Sequence, residues 1–142
     1  FPYTTLFRSS FLSPESQEIL EQLLSKSDVK IQQAIKSVAN ISDADAAAIL
    51  EAMNSSMVSE TTIAKELMKS FLLFAQQRTE LTNDTLSYLQ SLSGSQINLG
   101  CISYIAEYAN KMNKKVEILD IASKWDKNKQ GLKIGIEKLL EK

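Results

Sequence analysis

The chain has 142 residues, 44% hydrophobic and 23% charged, which is enough for one domain with a sizeable core and ordinary for a globular protein. The formal net charge of −1 supplies no global field that would recruit nucleic acid or an anionic membrane. Four Gly and two Pro are few, and that scarcity leans toward an all-α fold, because helix interiors tolerate neither residue well.

The chain opens with Phe1-Pro2-Tyr3-Thr4-Thr5-Leu6-Phe7-Arg8-Ser9. Composition alone suits an extended arm or an organelle transit peptide. A third reading is far more specific. The DNA TTTCCCTACACGACGCTCTTCCGATCT, the end of a widely used sequencing adapter, translates in frame to the same nine residues. Residues 1–9 are therefore expected to be a translated adapter scar and not native. Phe1, Tyr3, Leu6 and Phe7 are left out of the expected core. The native part is expected to be a single α-helical domain over 10–142, beginning at or near Ser10 and forming the C-terminal part of something longer.

From there the pattern predicts helices separated by short polar breaks. Ser13-Pro14-Glu15 is a start signal: a capping hydroxyl, a proline suited to the first turn, and an acid at the positive end of the dipole. Ile19, Leu20, Leu23 and Leu24 follow at helical spacing, and Ser25 to Asp28 interrupts them. Ile31, Ala34, Ile35 and Val38 make a second stripe that ends near Asn40. Ser42-Asp43-Ala44-Asp45 caps a third helix carrying Ala46, Ile49, Leu50 and Met53, which Asn54-Ser55-Ser56 is expected to break. Ser59 then caps a fourth, with Val58 and Ile63 as a hydrophobic staple.

That fourth helix, over 60–78, is expected to be central. Ile63, Leu67, Phe71 and Phe74 form one stripe, and Met68, Leu72 and Ala75 widen it most of the way round. Its apolar run Phe71-Leu72-Leu73-Phe74-Ala75 is bounded by polar residues and is far too short to span a bilayer. Leu81 and Leu86 bracket Thr82 as a second staple, and Gly94 is expected to stop that helix as a C-cap. From Ser95 the stripe Ile97, Cys101, Tyr104, Ile105, Tyr108, Met112 runs about four turns. Gly100 within it is expected to permit close approach of a neighbour. Lys114-Lys115 reads either as a turn or as helix interior. Val116 to Trp125 keeps a helical period, Asp126 to Gly131 is a loop, and Leu132, Ile136, Leu139 and Leu140 form a last amphipathic helix weakened by Gly135. No fixed repeat holds register. A compact irregular bundle of about seven helices with short connections, neighbours antiparallel, fits best.

The chemistry is argued by elimination. There is no histidine, which removes the commonest general acid/base and neutral metal ligand. With one cysteine, a disulfide within the chain and a Cys/His zinc site are both excluded. The glycine pairs lack the spacing and context of a nucleotide loop. Cys101 sits on an apolar helical face and reads as core rather than as a nucleophile. Glu15/Glu18, Glu18/Glu21 and Asp43/Asp45 are carboxylate pairs, but on the polar side of a helix and at a helix start they read as solvated surface and caps. Tyr104/Tyr108 and Phe71/Phe74 have the spacing of core pairs. No catalytic, cofactor-binding or metal-ligating residue is assigned, and no cofactor is expected.

The charges are uneven. Residues 1–101 hold seven basic and eleven acidic side chains, and residues 102–142 hold nine lysines and six acids. Lys111, Lys114, Lys115, Lys124, Lys127 and Lys129 cluster around Trp125 and are candidate nucleic-acid contacts, since lysines grip phosphates and an aromatic ring can stack a base. The region contains no Arg, the better phosphate and base reader. The expectation is therefore a non-enzymatic α-helical interaction or structural module, or a small subunit of a larger assembly, with a protein partner or a second copy. It is expected to be cytoplasmic and without a membrane span. The alternative is a nucleic-acid-associated helical subunit using 111–133.

Overall fold

The computed structural model describes residues 12–128 and 131–141. The expected adapter scar, residues 1–9, lies outside the described residues, and so does Lys129. Among the described residues there are eight α-helices, four 3-10 turns and no strand, so the chain is an all-α bundle. The helices are α1 (Pro14–Leu24), α2 (Asp28–Ser37), α3 (Asp43–Val58), α4 (Lys65–Ala75), α5 (Thr82–Ser91), α6 (Ile102–Met112), α7 (Lys115–Trp125) and α8 (Leu132–Leu140). No helix among the described residues is long and apolar enough to cross a membrane.

The N-terminal start signals work as read. The Ser13 hydroxyl accepts from the Ser16 amide with Pro14 in the first turn, and the Ser42 hydroxyl accepts from the Asp45 amide. Lys26, left-handed at φ 63°, turns α1 toward α2, and Ser27 caps α2. The α2 stripe ends in a 3-10 turn, Val38–Asn40.

Two boundaries differ from expectation. Asn54-Ser55-Ser56 does not break α3, which runs on to Val58. Met53 and Met57, four residues apart, are both fully buried, and that packing outweighs the weak helix preference of Asn and Ser. Ser59 is accordingly the C-cap of α3 and not the N-cap of α4. Val58 is half exposed and forms no staple. Helix α4 begins only at Lys65, with Ile63 buried ahead of it.

Shorter than expected, α4 is still the centre. It packs against α1, α2, α3, α5 and α6, and Leu67, Met68, Phe71, Leu72, Phe74 and Ala75 are all buried. The buried Ser70 hydroxyl donates to the Leu23 carbonyl at 2.7 Å and ties α4 to α1. Burying so much apolar surface on one helix is the main stabilising contribution at this centre.

The C-terminal helices α6, α7 and α8 pack on one another, and α6 joins them to α4. Thr82 is not an N-cap. A 3-10 turn, Thr79–Leu81, leads straight into α5, and the Thr82 hydroxyl donates back to the Thr79 carbonyl at 2.7 Å. Gly94 is not the C-cap of α5, which ends at Ser91 with Leu92 as its C-cap. It is buried and opens the turn Gly94–Gln96, where a Cβ would lie 2.2 Å from the Trp125 carbonyl oxygen. The close approach expected at Gly100 therefore occurs at Gly94. Gly100 itself is exposed in the turn before α6, where its amide donates to Asn98 Oδ1 at 2.8 Å. The lysine pair resolves as a turn: Asn113 is left-handed at φ 57° and ends α6, and α7 starts at Lys115.

Candidate functional site

The six lysines divide. Lys111, in the last turn of α6, and Lys115, the first residue of α7, are exposed on either side of the reversal at Asn113. Half-buried Lys114 lies between them with its Nζ 3.5 Å from Glu117. Lys124, in the last turn of α7, is 3.4 Å from Asp120. Nine positions separate Lys115 from Lys124, which at about 100° per residue puts them on opposite sides of the helix. Lys127 is exposed in the turn beyond α7. Lys111, Lys114 and Lys115 thus flank one reversal of the chain, and Lys124 lies on the opposite side of α7 from Lys115. Trp125 is buried and its indole N–H donates to the Leu92 carbonyl at 3.2 Å, so the ring is a core anchor and not a stacking platform.

Cys101 is fully buried, with its thiol 3.6 Å from the Ile63 carbonyl and 3.7 Å from Asn98 Oδ1. Burial pushes the thiol pKa up, which is the opposite of what a nucleophile needs. Phe71, Phe74 and Tyr108 are fully buried. Burial also raises the Tyr108 phenol; its hydroxyl lies beside Thr85 and Thr82 without a hydrogen bond of acceptable geometry. Tyr104 is half-buried, and the Lys69 ammonium sits 6.0 Å from its ring centre. That ammonium donates to Asp28 at 2.7 Å, which raises the lysine pKa.

The carboxylates of the helix starts are occupied locally. Asp43 pairs with Arg78, and Asp45 accepts from the Ser16 hydroxyl at 2.7 Å. Asp126 caps α8 from the preceding turn, taking the Leu132 amide at 2.7 Å and the Lys133 amide at 3.2 Å. Among the described residues no group of three or more His, Cys, Asp or Glu could hold a metal ion.

A different feature is concave. Helices α1 and α2 pack together and leave a groove of about 440 Å³ between them. Its lining is mostly polar: Glu15, Glu18 and Gln22 from α1, and Gln33, Ser37 and Asn40 from α2 and its turn, over Ile19 and Ile41. A second hollow of about 360 Å³ shares Glu18, Gln22 and Gln33 and adds Glu21 and Lys30. Among the described residues, no hydrogen bond or ion pair engages the side chains of Glu15, Glu18, Glu21, Gln22, Gln33 or Asn40. Two amides elsewhere are engaged. Gln96 donates to the carbonyls of Met57, Val58 and Glu60, and Asn98 donates to that of Ile63. The α1 half of this groove has a sequence signal, three glutamates on the polar side of an amphipathic helix. The α2 half has none, because only the packing of two helices makes a concavity.

Compared with known protein families, curated proteins and solved structures, the chain matches none.

Proposed function

We propose that the chain is a non-enzymatic α-helical interaction or structural module, and that the groove between α1 and α2 is the surface it presents to a protein partner. One observation carries this reading: among the described residues, no hydrogen bond or ion pair engages the amides and carboxylates that line the groove, while the amides of Gln96 and Asn98 close helix ends. Polar groups left open in a concavity offer hydrogen bonds to an incoming surface. The nucleic-acid reading gains less support, because Lys114 and Lys124 have acidic neighbours and Trp125 is buried.

The test is a photo-crosslinking amino acid placed in the full chain at Gln33, inside the groove, or at exposed Ser87 on α5. A discrete protein adduct from position 33 that is absent from position 87 and lost on Gln22→Ala is expected. Identical adducts from both positions, or none from either, would overturn the reading. A mobility shift on RNA or DNA that weakens steeply with salt would replace it with the nucleic-acid reading.

A further inference from the structure

We draw no further inference here: the strongest candidate, the row of carboxylates Glu15, Glu18 and Glu21 along the α1–α2 groove, belongs to the site already described, and nothing in the structure shows what covers it.

Discussion

Two corners of the bundle solve the same problem with different chemistry. Helix ends leave carbonyls without an intrahelical partner. At the end of α2, Arg78 supplies the donors: Nη1 reaches the Val38 carbonyl at 3.2 Å and the Ile41 carbonyl at 2.8 Å. The same guanidinium pairs with Asp43 through Nη2 and with Glu80 through Nε, the latter at 2.8 Å. At the end of α3, the donors are the neutral amides of Gln96 and Asn98, and the Gln96 carbonyl also accepts from the Ile63 amide at 2.9 Å. One corner is therefore held by charge, with the hydrogen bond from Arg78 drawing the Glu80 carboxyl below its ordinary pKa, and the other has no charge to lose. The two corners flank α4: Ile63, held by Asn98, precedes its start at Lys65, and Arg78 follows its end at Ala75.

That shared helix is the first thing to break. Phe71 is fully buried on α4, and Phe71→Ala leaves a cavity in the helix that both corners flank. A loss of about 3–5 kcal/mol is expected from the deleted ring and the space it leaves. The measurement is urea unfolding followed by helicity and by Trp125 fluorescence. Trp125 reports the neutral side, through its bond to Leu92. The two probes should shift together. A tryptophan transition well below the helical one would mean that the corners do not share a support.

Gly94→Ala acts on the neutral side alone. The new methyl would meet backbone atoms of Trp125, the carbonyl oxygen at 2.2 Å and its carbon at 2.9 Å, and backbone cannot rotate out of the way. A cost on the order of 1–3 kcal/mol is expected. Gly135→Ala is the control. There the methyl meets only the mobile end of Ile102, at 2.7 Å, and the helix gains up to about 1 kcal/mol in propensity. It should be near neutral in the same urea measurement. Equal losses for both would show that the Trp125 contact relaxes.

Arg78→Met and Gln96→Ala sharpen the chemical contrast. Each removes several hydrogen bonds to carbonyls at a helix end, and a loss of about 1–3 kcal/mol is expected for either at neutral pH. Their pH dependence should differ. The hydrogen bond from Arg78 holds the Glu80 carboxyl below its ordinary value of 4.5. A carboxyl depressed in the folded state contributes stability above its unfolded pKa and loses it as pH falls through the folded one. The deficit of Arg78→Met should therefore shrink in part as pH falls below that ordinary value, where wild type loses the Arg78–Glu80 contribution. The deficit of Gln96→Ala should stay constant across that range. Parallel curves for the two variants would remove the distinction between the corners.

The sequence made some of this legible and hid the rest for physical reasons. Local signals served where the cause is local: Ser13 and Ser42 cap as their positions imply, and the wide apolar face of Leu67 to Ala75 marks the central helix. They failed where packing overrides them, as when buried Met57 carries α3 through Asn54-Ser55-Ser56. Gly94 illustrates a third case, since a glycine after a helix looks the same whether it caps that helix or admits the backbone of a residue 31 positions away. Arg78 lies 37 positions from Ile41, and no periodicity links them. The groove combines residues of two helices in the same way, so its glutamates were visible as a polar face and not as a wall.

The smallest expected effect concerns a polar group that follows neither corner's solution. The Tyr108 hydroxyl is buried without a partner, while its neighbours donate elsewhere, Thr85 to the Leu81 carbonyl at 2.8 Å and Thr82 to the Thr79 carbonyl at 2.7 Å. Removing an unpaired buried hydroxyl removes a desolvation cost and strands nothing. Tyr108→Phe should therefore leave the urea midpoint unchanged or raise it, by about 1 kcal/mol at most. A drop of that size would show that the phenol donates to one of the two threonine oxygens. Burial of an uncharged polar group at the α5–α6 contact would then rest on pairing, as it does at the Gln96 corner, and not on the surrounding core alone.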